Sequence, residues 1–348
     1  MRRQALIIGM LVLWAGCDGG GVEDPAETTG GSEVVGVDGA VGIDTEDTTS
    51  PDGPPVVPGA DYLIVTAGDL LATAEAFEAY REETGYTVSL ATVEQVIAGG
   101  VAATDTDVAI HIKTWVAMHW EARQTDRPMF LLLVGDADPA FNDPDETIPA
   151  VQWPGEWQGC LSDNHYGEMD GDHVPDVAVG RLPVRSDAQG LDLLDRIKAH
   201  ETTYATGPWN HRLNVYAGEG GFGEDVDFFI ETVAQKGLES VPMAFDIRFA
   251  YNSPGSTWYY APFQEIVHEM VTGGAVLTTF MGHGGGELNV PDLTQVKPAD
   301  RFPMYAFFAC STGEFANDWM SESEEVMLQV GGPMAILVST ATTHPYAN

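Results

Sequence analysis

The chain has 348 residues, 44% of them apolar, enough for one large or two modest domains with a sizeable core. It sets 15 Lys+Arg against 53 Asp+Glu, a formal net charge of -38. Such a chain repels nucleic acid and anionic membranes and favours cations or basic partners, which argues against a nucleic-acid-binding role.

Residues 1–17 read as an export signal. Arg2 and Arg3 make a charged start, "ALIIGMLVLW" is a short apolar core, and small residues follow. That core is too short to stay in a bilayer as a spanning helix. It ends in "LWAGC", which looks like a bacterial lipobox with Cys17 as the lipidated residue, although Trp14 is unusual at its position. Lipidation of Cys17 leaves Cys160 and Cys310, which could form one disulfide in an oxidising compartment but no disulfide scaffold. Cys160, in "WQGCLSD", reads as an incidental loop thiol. Residues 18–58 hold ten acidic residues and no Lys, Arg or aromatic residue, so they cannot bury enough surface to fold. They are expected to be a solvated tether.

The texture changes at Asp61. "DYLIVT" is a buried-type strand, "LLATAEAFEAYREETG" an amphipathic helix ending at Gly85, and "YTVSL" a second strand. A helix over 107–122 leads to the apolar strand "MFLLLVGDA", and "PDVAVGRLPV" supplies another. "SDAQGLDLLDRIKAHETTY" is a capped helix with Leu191, Leu194 and Ile197 on one face. "LNVYAGEGG", a helix over 224–236 and "AFDIRFA" repeat the pattern. A helix over 263–271 follows, then the strands "GAVLTTFMGHG", "MYAFFACS" and "GPMAILVST". Strands alternating with helices, each strand nearly continuous in Val, Ile, Leu and Phe, imply an α/β fold whose mostly parallel sheet is covered on both faces. Two α/β halves are expected, 59–207 and 208–348, split near Gly207-Pro208.

In parallel α/β sheets, sites gather at the carboxyl ends of strands. Three strands end in suggestive residues: "VYAGEGG" at Glu219, "TTFMGHGGG" at His283 and "FFACSTG" at Cys310. A cysteine beside a histidine is what a thiol nucleophile needs, because the imidazole assists thiolate formation and then protonates the departing amine. The Gly284 and Cys310 amides could form an oxyanion hole, and Glu219 could orient the ring. The bland alternative is open too. Most buried cysteines are small hydrophobes, and one Cys with one of nine His would ordinarily be coincidence. "HGGG" with Ser311 on an elbow resembles an esterase arrangement, but only 28 residues separate His283 from Ser311 and only 37 follow the serine, too few for that topology.

Metal readings are weaker. His111 and His119 sit eight apart on a helical stretch and are expected to pack or face solvent, and His268-Glu269 lacks the second histidine of a zinc-protease helix. "SDNHYGEMDGDHVPD" offers Asp163, Asp170, Asp172 and Asp176 in an oxygen-rich loop that suits structural calcium, outside the EF-hand register. A solvated acidic loop is the competing reading.

Taken together, "YLIVT", "LLLVGDA", "SDNHYGEMDGDHVPDVAVGRLPV", "GHG", "ACSTGEF" and "ILVST" resemble the gingipain-type cysteine peptidases, from Asp61 to the C-terminus. The resemblance implies a caspase-like fold and a secreted endopeptidase acting on protein or peptide substrates without an organic cofactor. It implies His283 as catalytic histidine, Cys310 as nucleophile and Glu219 behind the histidine. Asp225 would be the acid of an arginine-binding pocket, with Asp227 a near alternative register and helix N-terminal acid the plain alternative. The arginine-specific members carry a tryptophan soon after the "ST" motif; here "STATTHPYAN" has none, and His344 or Tyr346 would have to wall the pocket. Membrane contact is expected only through the lipid anchor. Two other functions stay open: a surface transpeptidase, and a non-catalytic, calcium-stabilised binding lipoprotein.

Overall fold

The structure, a computed structural model, describes residues 56–97, 105–137, 146–152, 160–202, 207–218, 238–252, 262–283, 302–317 and 319–342, with 228, 232 and 236 besides. The expected leader, nearly all of the tether, Cys17, Glu219, Gly284, Asp225, Asp227, His344 and Tyr346 lie outside these residues, as does most of the helix expected over 224–236.

The first half of the chain builds one four-stranded sheet. Its strands are β1 (Tyr62–Thr66), β2 (Val88–Thr92), β3 (Phe130–Val134) and β6 (Ala178–Leu182), in the order β2-β1-β3-β6, all parallel. Leu63, Ile64 and Val65 are consecutive and wholly buried, so both faces of this sheet are covered. The cover comes from α1 (Leu71–Glu83), α2 (Val93–Ile97), α3 (Asp105–Glu121) and α4 (Asp187–Thr202). Phe77 of α1, Ile112 and Trp115 of α3 and Leu193 of α4 close the core. Two segments the sequence reading did not foresee, β4 (Val151–Gln152) and β5 (Leu161–Ser162), pair as a short antiparallel ribbon.

The second half builds a separate sheet of five parallel strands. These are β7 (Arg212–Ala217), β8 (Asp246–Tyr251), β9 (Leu277–Met281), β10 (Met304–Phe308) and β11 (Ala335–Leu337), in the order β11-β10-β9-β7-β8. The strands therefore form two sheets where the sequence pattern, which carries no pairing information, suggested one. Helix α5 (Phe263–Gly273) buries Phe263, Val267 and Met270 against Tyr216 and Phe280. A further helix, α6 (Glu322–Leu328), opens with a capping box in which Ser321 and Glu324 satisfy each other's backbone N–H.

The two halves are joined by buried polar contacts as well as by packing. Met327 of α6 belongs to the first core, and Ile336 of β11 packs against both. Arg196 of α4, itself buried, donates to the carbonyls of Met327 at 2.6 Å and Gln329 at 2.9 Å, beyond the end of α6. His200 Nδ1 donates to the Phe302 carbonyl at 2.8 Å. Among the described residues no helix is long and apolar enough to cross a membrane.

Candidate active site

The carboxyl ends of the second sheet carry the residues of interest. β9 and β10 are neighbours, with Met281 opposite Phe308 as the last pair of the ladder. The Gly282 N–H still donates to the Phe308 carbonyl at 3.2 Å. His283 lies two residues beyond Met281, and Cys310 two residues beyond Phe308. Adjacent strands run about 4.8 Å apart, so the two residues leave neighbouring strand ends at the same level. Both are half-buried. β7 flanks β9 on its other side, where the Gly218 N–H donates to the Met281 carbonyl at 2.9 Å. Glu219 follows it in sequence. Gly282 is required between them, because a Cβ there would sit 2.8 Å from the Phe280 ring.

After Cys310 the chain makes a tight, heavily tied turn. Ser311 has φ 55, the left-handed region that non-glycine residues seldom adopt. Its N–H donates to the Ala341 carbonyl at 2.9 Å, and the Gly313 N–H to Ser339 at 2.8 Å, so the segment after β11 backs the turn. The buried Thr312 hydroxyl donates to the Ala309 carbonyl at 3.2 Å, and the Ser323 N–H of α6 donates to the Thr312 carbonyl at 3.1 Å. A Cβ on Gly313 would lie 2.2 Å from Val338 Cγ2, so only glycine fits. The turn thus fixes the chain direction at Cys310.

No disulfide joins Cys160 and Cys310. Cys160 lies just before β5 in irregular structure, as expected, but it is buried, with Sγ 3.7 Å from the Thr340 hydroxyl. His119 is a core histidine, its ring nitrogens 2.9 Å from the Trp115 carbonyl and 2.9 Å from the Ser89 hydroxyl. Burial holds its pKa below the ordinary value. His268 and Glu269 are both exposed on α5.

The acidic loop divides the four aspartates assigned to calcium. Asp170 and Asp172 do come together, joined by Glu168, which sequence reasoning missed; ligand oxygens of the three lie within 4.8 Å of one another. Asp176 stands at the loop's base, accepting from the Met169 N–H at 2.9 Å. Asp163 must be withdrawn from the set, because both its oxygens take N–H groups of Arg181, at 2.8 and 2.7 Å. Three carboxylates reach the about six to eight oxygens that Ca2+ takes only if they bind through both oxygens or are joined by carbonyls and water. Glu168 is also already engaged by Lys113 Nζ at 3.1 Å and by the Gly171 N–H. Those bonds hold its carboxyl below the ordinary range in spite of burial. As they stand, these residues fit a loop braced by its own hydrogen bonds better than a ready calcium cage.

Comparison with known proteins adds the following. A family model described as Peptidase family C25 matches residues 57–348. The crystal structure of the Arg-specific cysteine proteinase gingipain R is similar, with TM-score 0.61 and 22% identity, covering 84% of this chain and 65% of that one. Another solved structure, described only as a protease, has TM-score 0.64 and 16% identity, covering 86% of this chain and 63% of that one. The chain thus spans under two thirds of the length of either. At these identities the likeness shows the fold, which is the caspase-like α/β fold expected from the sequence. A search of curated proteins gives no match.

Proposed function

The chain belongs to peptidase family C25, and from that premise we propose that it is a cysteine endopeptidase with Cys310 as nucleophile and His283 as general acid and base. One observation supports this above the others: His283 and Cys310 stand at matching positions just past the paired ends of β9 and β10. Attack by the Cys310 thiolate on a peptide carbonyl forms a C–S bond and puts charge on the carbonyl oxygen. In this reading the Gly284 and Cys310 amides receive that oxyanion. Collapse breaks the C–N bond, the amine leaves with a proton from His283, and a thioester results. Water then attacks, giving its proton to His283, and the free thiol returns.

The finer parts of the reading rest on matched motifs. Glu219 orients His283, and Asp225 receives a cationic side chain before the scissile bond, Arg better than Lys because its fork is bidentate. The leader and Cys17 make the protein an exported, lipid-anchored one.

Digestion of a defined peptide library by the full-length chain tests this, with Cys310→Ala and His283→Ala alongside and cleavage sites read by mass spectrometry. Cuts that vanish in both variants are expected. Cuts after residues other than Arg would keep the mechanism and discard the Asp225 pocket. Product that forms only with an added amine would instead mean transpeptidation. A folded, intact chain with no Cys310-dependent cleavage would sink the peptidase reading in favour of a binding protein.

A further inference from the structure

Arg181 of β6 is a buried cation with every donor engaged. Its side chain is 5% exposed. Nε and Nη2 donate to the two oxygens of Asp163. Nη1 is shared among the carbonyls of Gly135, Asp136 and Ile148 at 3.0, 3.2 and 3.0 Å, and Nη2 also reaches the Pro149 carbonyl at 3.3 Å. The guanidinium therefore gathers three stretches of chain: the turn after β3, the segment entering β4, and the loop after β5. With its N–H groups committed in plane, it offers a neighbour only its flat face. The guanidinium carbon lies over the ring of Phe315, 5.0 Å from its centroid.

Phe315 lies five residues after Cys310, just past the turn over 310–313. The links between them are short and stiff. Ser311 and Gly313 are tied to the segment after β11, Thr312 to Ala309 and α6, and the Phe315 N–H donates to the Gly313 carbonyl at 2.8 Å. These ties set the turn within the second half of the molecule. α6 carries part of the link to the first half, since Met327 packs in the first core and Arg196 holds its end. Arg181 against Phe315 is the contact that reaches the turn's own far side. Close-packed interiors transmit such displacements instead of absorbing them.

We propose that Arg181, clamped by Asp163, is a positioning residue for Cys310, acting through its cation–π contact with Phe315. The proposal rests on the reading of Cys310 as nucleophile. It gives the first sheet a part in the chemistry, since its loops build the platform on which the nucleophile turn is seated.

The test uses the full-length chain and the variants Arg181→Lys, Phe315→Leu and Phe315→Tyr. It reads kcat and KM for a cleaved peptide, the alkylation rate of Cys310 by iodoacetamide across pH, and Tm. Arg181→Lys and Phe315→Leu are expected to lower kcat by about tenfold or more, with KM within about twofold, because misplacement of a reacting group by about 1 Å has effects of that order. The pH profile of Cys310 alkylation should change with them, and Phe315→Tyr, which keeps the ring, should restore both. The double variant should be no worse than the poorer single one, as expected for two residues acting through one contact. Wild-type kcat and wild-type alkylation in Phe315→Leu, with only Tm lowered, would overturn the proposal. If Arg181→Lys fails to fold, Phe315→Leu still decides, since it alters only a half-buried ring. Failure of the nucleophile reading looks different: Cys310→Ala keeps its activity, or the wild type cuts nothing, and the alkylation rates still report whether Arg181 and Phe315 set the thiol.

Discussion

Ser311, next to Cys310, holds a sharp local constraint. Its φ of 55 puts a side chain where Cβ crowds the following carbonyl, at a cost of about 1–2 kcal/mol for a non-glycine residue. A β-branched residue suffers most, so Ser311→Val should lower stability by about 1–3 kcal/mol. Ser311→Gly should leave it within about 1 kcal/mol of wild type, because relief of strain offsets the greater freedom of the unfolded glycine. Urea midpoints of the two variants check this. Equal midpoints would mean the turn can relax, contrary to the ties from Ala341 and Ser339.

Helices α1 and α4 meet at a point where propensity and packing disagree about a substitution. Gly190 sits inside α4, and replacing a helix-interior glycine by alanine ordinarily gains about 1 kcal/mol. Here a Cβ would stand 2.4 Å from Thr73 Cγ2 of α1. Thr73 cannot easily swing away, since its N–H and hydroxyl both donate to Asp187, at 2.9 and 2.6 Å. Gly190→Ala is therefore expected to destabilise by about 1–3 kcal/mol, the usual size of overpacking, with thermal unfolding as the readout. A rise in Tm would show that α1 and α4 separate freely. This contact also marks what the sequence could tell. The helix over 187–202 was legible from its apolar residues, although its buried face holds Leu193 and Leu194 while Leu191, expected there, is exposed; β9 and β10 were legible from their continuous apolar runs. Cys310 and His283 stood out because glycines mark the strand ends. Contacts between distant residues leave no such period. Asp163 was grouped with Asp170 and Asp172 because it is near them in sequence, whereas the fold turns it to Arg181. Glu168 has no sequence signal that sets it apart from the neighbouring aspartates. α6 went unseen although Ser321 and Glu324 spell a capping box, because a seven-residue helix with three glutamates has too little apolar periodicity.

For the molecule as a whole, burial of histidine sets a direction for acid sensitivity. Desolvation, and then the Lys113 charge, push the pKa of His165 down to about 4, against a weaker opposing pull from Glu168. The native state keeps His165 neutral while the unfolded chain protonates it from about pH 6.5 downward. Stability from this group is thus full above pH 6.5, falls as pH drops toward 4, and changes no further below that, because the unfolded state binds the extra proton. His119, lowered by burial, acts in the same direction. His165→Asn should lose less stability than wild type between about pH 7 and about pH 5, measured as the shift in urea midpoint. An equal loss in both would remove His165 from the account.

The net charge of -38 acts at longer range, on encounter with substrate. A field of one sign raises the association rate of oppositely charged peptides by about 10–1,000-fold at low salt, and salt screens it with a Debye length of about 8 Å at 0.15 M. kcat/KM for a basic peptide should therefore fall steeply with added NaCl, while that for a neutral peptide stays flat. This effect would exist without any arginine pocket, so two peptides of equal charge separate the two causes. One carries Arg directly before the scissile bond, the other carries it several residues away. Steering by the whole molecule gives both the same salt slope. A carboxylate at Asp225 in bidentate contact adds a preference for the first that survives high salt, because short paired contacts are screened far less than distant ones. Convergence of the two peptides at high salt would assign any preference for basic peptides to the molecule's field and remove the Asp225 pocket.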